Sequence, residues 1–230
     1  MKIQIQSVTA GRKRILKQLS LKLSEGATAV LGRNGSGKST LVNAITNHPG
    51  LKVDGTIDDL LTPLFLGFQK PVEIPEILTG DFLLYLDNQF GHKSESLDEF
   101  ILHYGDVLKR LHITESMFSR PLNRDVSGGE NKRLELLQMY IIQPKFIMLD
   151  EIDTGLDLDM LVQLGGFLKD YIEEHNPIVL VVTHNLSFLK YFPVKRVIVL
   201  NAGEIIADKG PALIKELEAK GFIGTFPNLK

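Results

Sequence analysis

Apolar and polar residues alternate from Ile3 to Val8 and again through Leu19, Leu21 and Leu23, the period-2 pattern of half-buried strands. A turn at Ser24-Glu25-Gly26 leads into Ala27 to Leu31, a largely apolar run of the length expected for a strand buried on both faces. A glycine-rich loop and a helix starting near Lys38 follow. Leu64 to Phe68 predicts another strand, after which Pro71 and Pro75 break the chain. From about Thr79 to Ile142 the period becomes helical: Leu97, Phe100, Ile101, Tyr104, Leu108 and Leu111 recur at threes and fours, with Ser94 as the expected cap. Strand-like runs return at 146–149, 178–182 and 197–200. Between the first two, a helix is predicted from about Asp157 to Glu174, stopping at Asn176-Pro177.

Strands alternating with helices argue an α/β fold with a largely parallel sheet, into which an all-helical middle is inserted. The 230 residues show no internal repeat, low-complexity tract or flexible linker, so one compact unit is expected. Without cysteine, the chain supplies no disulfide, no thiol nucleophile and no thiolate for zinc or an iron–sulfur cluster. Twenty-six basic and 28 acidic residues, net −2, leave no whole-face footprint for nucleic acid. No apolar run reaches the roughly 18 residues of a membrane-spanning helix, and the N-terminus alternates where a signal peptide would be uniformly apolar. A cytoplasmic protein without membrane insertion is expected. Arg12-Lys13-Arg14 reads as a solvated loop tip, and His48, His92, His103, His112 and His175 read as surface residues without ligand spacing.

Chemistry concentrates elsewhere. Gly32-Arg33-Asn34-Gly35-Ser36-Gly37-Lys38-Ser39, followed by Thr40, fits the phosphate-loop pattern G-x-x-x-x-G-K-[ST] between a buried strand and a helix. Glycines let backbone N–H groups turn inward onto phosphate oxygens, and the helix N-terminus adds a favourable dipole. Lys38 is expected at the β- and γ-phosphates of a nucleotide and Ser39 on Mg²⁺. The apolar run Phe146 to Leu149 ends in Asp150-Glu151, at the strand edge where α/β proteins bind ligands. Asp150 is the expected Mg²⁺ carboxylate and Glu151 the group able to take a proton from an attacking water.

Further stretches resemble one family. Ser127-Gly128-Gly129-Glu130 resembles the signature loop of ATP-binding cassette (ABC) ATPases, Gln69 the Q-loop glutamine, His184 the switch histidine, and Asp153-Thr154-Gly155-Leu156-Asp157 the D-loop. The resemblance implies a P-loop NTPase with a RecA-like core, an N-terminal antiparallel β subdomain and an inserted helical subdomain. It assigns 1–230 to a single domain, with about 71–141 as the helical part and about 1–70 and 142–230 as the core. It implies ATP as substrate, Mg²⁺ as cofactor and an ATP-dependent homodimer in which Ser127, Gly128, Gly129 and Glu130 close on the nucleotide of the opposite copy. Glu151, His184 and Gln69 would be catalytic, with Ser39, Gln69 and Asp150 near the metal.

Within that family the chain is most similar to the SufC type, the ATPases of the SUF iron–sulfur assembly system. Phe65 to Pro75, Leu136-Leu137-Gln138-Met139, Asp150 to Asp157 and Glu216 to Phe222 carry the likeness. It implies SufB- or SufD-like scaffolds as partners, with a transporter subunit as the alternative. No aromatic precedes Phe65, so aliphatic or Arg contacts are expected where many relatives stack adenine.

Overall fold

The computed structural model describes residues 1–227. The strand β1 (Lys2–Ala10) buries Ile3, Ile5 and Val8 and exposes Lys2, Gln4 and Gln6, as the alternation predicts. It pairs antiparallel with β2 (Lys13–Leu16) and β3 (Leu19–Lys22). Next come β4 (Gly26–Leu31), α1 (Lys38–Ile45) and β5 (Lys52–Asp58), the last pairing antiparallel with β1 to complete the first sheet. After β6 (Leu64–Gly67), the strand β7 (Ile74–Leu78) runs into α2 (Thr79–Phe90) and then α3 (Leu97–Arg110). The strand β8 (Pro121–Leu122) precedes α4 (Gly128–Ile142), β9 (Phe146–Asp150) and α5 (Leu158–His175). The strands β10 (Ile178–Val182), β11 (Val194–Asn201) and β12 (Glu204–Lys209) lead to α6 (Ala212–Thr225).

The second sheet has the order β12-β11-β4-β10-β9-β6, parallel apart from β12. Its strands β4, β9 and β10 are nearly continuous apolar runs because both faces are covered. Phe146 and Met148 point into one core, shared with β1, β3 and Leu41 and Val42 of α1. Ile147 and Leu149 point into the other, shared with α2 to α5. Register fixes where the functional loops emerge: Val182 lies opposite both Val30 and Asp150, and Gly67 opposite Leu149. The ends of β4, β6, β9 and β10 are therefore level at one carboxyl edge.

Two expectations about the middle segment need correction. It is not all-helical: Ile74 pairs with Leu122 and Leu78 with Pro121, so β7 runs through Pro75 where a break was expected. Proline is tolerated there because this short strand has only one partner. The cap of α3 is Ser96, whose side chain accepts from the Glu99 N–H, and not Ser94. Ser94 is instead buried, its N–H donating to Asp87 at 2.8 Å.

Candidate active site

The helix α1 differs from α3, α4 and α5 at its start. Those three begin at side-chain caps, Ser96, Ser127 and Asp157. The cap of α1 is Gly37, left-handed at φ 107, with no capping side chain and no acid in its first turn. Its first N–H groups and positive dipole end are thus left to an outside anion. The phosphate loop opens on one side to a cavity of about 470 Å³ that includes Asn34, Lys38, Ser39, Thr40 and Glu151. On the other it opens to one of about 560 Å³ with Gly32, Arg33, Gly35, Ser36 and His184.

Lys38 is buried, and its Nζ donates to the Gly32 carbonyl at 3.0 Å and lies 3.9 Å from Glu151 Oε1. Glu151 follows β9 in a left-handed conformation, φ 50, with its N–H donating to the Val182 carbonyl at 2.8 Å. A non-glycine residue held there at a strand end turns its side chain out of the strand's alternation, a strain typical of functional positions. Gln69 Nε2 donates to Glu151 Oε2 at 3.2 Å, and His184 Nδ1 lies 3.5 Å from Glu151 Oε1. Three residues, each identified by a different motif, thus meet one carboxylate.

Ser39 Oγ lies 3.5 Å from Asp150 Oδ1. Burial pushes the Asp150 carboxyl up, as does neighbouring Glu151, with Ser39 and Lys38 opposing. Desolvation likewise raises Asp153, which accepts from the Thr183 hydroxyl at 2.8 Å. That bond ties the loop after Glu151 to the residue before His184. Among the described residues no group of three or more His, Cys, Asp or Glu is arranged to hold a metal. One hydroxyl and one carboxylate nevertheless suit Mg²⁺, a hard cation that takes few protein oxygens and fills its shell with phosphate and water.

The signature residues lie apart. Ser127 caps α4 reciprocally with Glu130, whose carboxylate accepts from the Ser127 N–H at 2.8 Å and from Arg120 at 3.3 Å. Those bonds, the Ser127 N–H foremost, hold the Glu130 carboxyl below the usual range. Among the described residues, Ser127 to Glu130 line neither phosphate-loop cavity.

Some contributors were not anticipated. Arg12, Lys13 and Arg14 are exposed, and Lys13 and Arg14, at the start of β2, border with Ile15 the cavity that includes Lys38, Arg14 donating to the Gln6 carbonyl at 2.7 Å. Asn201, Ala202 and Phe222 border the cavity on the His184 side. The turn signal Asn201-Ala202-Gly203 was present in the sequence. Gly203 sits at φ 80, and its N–H donates to the Ser36 carbonyl at 3.0 Å, bracing the phosphate loop.

A protein-family model described as ABC transporter matches residues 16–154. The chain is 35% identical over 231 residues to the iron-sulfur cluster assembly protein SufC of Plasmodium falciparum, with 92% of this chain covered. It spans 66% of that relative's length. It is also 35% identical over 235 residues to the probable ATP-dependent transporter ycf16 of Antithamnion sp., covering 94% of this chain and 93% of that one. Among solved structures, the dimeric ATP-binding cassette MJ0796 bound to ADP and Pi superimposes with a TM-score of 0.72 at 23% identity. That match covers 91% of this chain and 98% of the other, a likeness of fold.

Proposed function

This chain belongs to the ABC transporter ATPase family, and on that premise we propose that it hydrolyses MgATP, as one half of an ATP-bridged homodimer, to reshape SufB- or SufD-like scaffold proteins during iron–sulfur cluster assembly. The observation that carries the chemistry is the convergence of Lys38, Gln69 and His184 on the Glu151 carboxylate.

In this reading residues 32–40 wrap the triphosphate, and Lys38 leaves its loop carbonyls for the β- and γ-phosphate oxygens. Glu151 accepts a proton from the water that attacks the γ-phosphorus in line with the leaving ADP oxygen. Gln69 orients that carboxylate and the water, and His184 donates to the γ-phosphate, where charge accumulates. Ser39, Asp150 and Gln69 would hold Mg²⁺, which when bound neutralises charge on the β- and γ-phosphates. Ser127, Gly128 and Gly129 of a second copy cover the nucleotide's open side, with Glu130 holding Ser127 in place. Residues 1–230 act as one domain, about 71–141 forming its helical subdomain; the last three residues lie outside the described ones.

The scaffold part draws support from the relative named SufC and from the exposed apolar residues Phe68, Val72, Ile77 and Leu78 in the stretch of chain around and after Gln69, side chains available to a protein partner. Among the described residues, no helix is long and apolar enough to cross a membrane; a cytoplasmic location is part of the proposal. A second reading, the nucleotide-binding subunit of a membrane transporter, is favoured by the relative named ycf16. Co-purification from the native cell separates them: SufB-like proteins support the first, and integral membrane partners support the second.

A further inference from the structure

The strand β6 loses its ladder two residues before Gln69. Its last register with β9 is Gly67 opposite Leu149, so the N–H and carbonyl of Phe68 lie beyond the sheet. A buried ion pair on α4 takes the place of the missing strand. Glu135 Oε1 accepts from the Phe68 N–H at 3.0 Å, and Lys132 Nζ donates to the Phe68 carbonyl. The two side chains pair at 2.7 Å and are only 5% and 7% exposed. Burial pushes the Glu135 carboxyl up, with Lys132 and the Phe68 N–H opposing. The next residue in the chain is Gln69, whose amide donates to Glu151.

An ion pair this deep is a poor device for stability alone, because apolar residues of similar size would serve the core as well or better. What apolar residues cannot do is grip both polar groups of one peptide residue in a fixed orientation. The pair also sits on the helix that Ser127 caps, five positions into it for Lys132.

We propose that Lys132 and Glu135 are positioning residues for hydrolysis: by clamping the Phe68 main chain they set the Gln69 amide against Glu151 and make it move with α4. The inference rests on the reading of Glu151 as the proton acceptor and Gln69 as its partner. It predicts that loosening the clamp damages turnover while leaving ATP capture intact, and does so only through Gln69.

The test uses the full chain carrying Lys132→Met together with Glu135→Leu, a swap that keeps the site filled. Expected are an unchanged KM for MgATP and a kcat lower by about 10- to 100-fold, the scale of a misplaced catalytic group. In a Gln69→Ala background the same swap should cost less than about twofold, because residues acting as a unit are not additive. Equal kcat in the swapped chain, or losses that multiply with Gln69→Ala, overturns the proposal. Lys132→Gln, which shortens the donor arm while leaving Glu135 a hydrogen-bond partner, is the second variant should the double swap not fold. The same kcat-only loss is expected of it.

The chain has no tryptophan, so Phe68→Trp adds a lone reporter at the clamped residue. Its fluorescence anisotropy without nucleotide should fall when the clamp is removed, and an unchanged value counts against the clamp. If the unmodified chain shows no MgATP hydrolysis, the proposed function fails, and the anisotropy still decides the clamp.

Discussion

Gln69 and Glu151 stand 82 positions apart, yet the amide Nε2 of one donates to Oε2 of the other at 3.2 Å. Their meeting follows from sheet register. β6 and β9 are parallel neighbours with Gly67 opposite Leu149, so two residues beyond each partner the chains arrive at the same edge. Lys38 and His184 reach the same carboxylate from β4 and β10, neighbours in that sheet. The four side chains are thus delivered by the segments that follow four neighbouring strands, and among the described residues none of the signature loop covers them.

That cover is expected from a second copy. Among the described residues, Ser127 to Glu130 border neither phosphate-loop cavity, and in the proposed reading they cover the nucleotide of the opposite copy. Glu151→Gln, slow to hydrolyse, should shift from the mass of one chain to that of two by light scattering when MgATP is added. A mass that stays at one chain with ATP bound removes the dimer from the account.

Lys38→Ala should weaken MgATP binding by about 10- to 100-fold, the worth of charge-assisted hydrogen bonds to phosphate. Calorimetric titration measures this directly. Unchanged affinity means that the triphosphate lies elsewhere.

Asp87, on α2, ties together the loop before α3 and α3 itself, accepting from the N–H groups of His92 and Ser94 and from the Tyr104 hydroxyl at 2.6 Å. Burial pushes its carboxyl up, but those hydrogen bonds outweigh it and hold the group below its ordinary 3.8. A carboxyl depressed on folding contributes stability that is complete above its unfolded pKa and lost as pH falls through the folded one. Asp87→Asn should therefore melt lower than the parent at neutral pH and lose less on acidification below 3.8. Tyr104→Phe should cost about 1–3 kcal/mol at neutral pH. Parallel melting curves for Asp87→Asn and the parent from neutral to acid pH would contradict this.

Two glycines should respond oppositely to alanine. At Gly203, φ 80, a Cβ would lie 2.1 Å from the Ile15 carbonyl oxygen. Gly203→Ala should lose about 1 kcal/mol or more of stability and weaken nucleotide binding by releasing Ser36. At Gly105, inside α3, a Cβ meets nothing within 4 Å. Gly105→Ala should gain about 0.5–1 kcal/mol from helix propensity and unfolded-state entropy. Denaturant unfolding of both variants settles the contrast.

The parallel core was legible because strands covered on both faces must be apolar throughout. The phosphate loop and Asp150-Glu151 were legible because their chemistry demands fixed residue types at fixed spacing. The Lys132–Glu135 pair was not, since oppositely charged residues three apart on a helix ordinarily read as a solvated face. Only the tertiary position of Phe68, left without a strand partner, explains their burial. Arg12, Lys13 and Arg14 are exposed, as the charge run suggests; what the sequence does not show is that Lys13 and Arg14 border the cavity beside the phosphate loop. The expected cap of α3 falls two residues early, because the sequence does not show that the Ser94 N–H is taken by buried Asp87 while Ser96 caps the helix.

In the proposed reaction Glu151 takes the proton from the attacking water. Phosphate release from MgATP by the unmodified chain and by Glu151→Gln, with ATP binding checked in parallel, bears on it most directly. Turnover is expected in the first, and a loss of about 10²- to 10⁴-fold in the second with binding retained. Equal rates from the two proteins would contradict it.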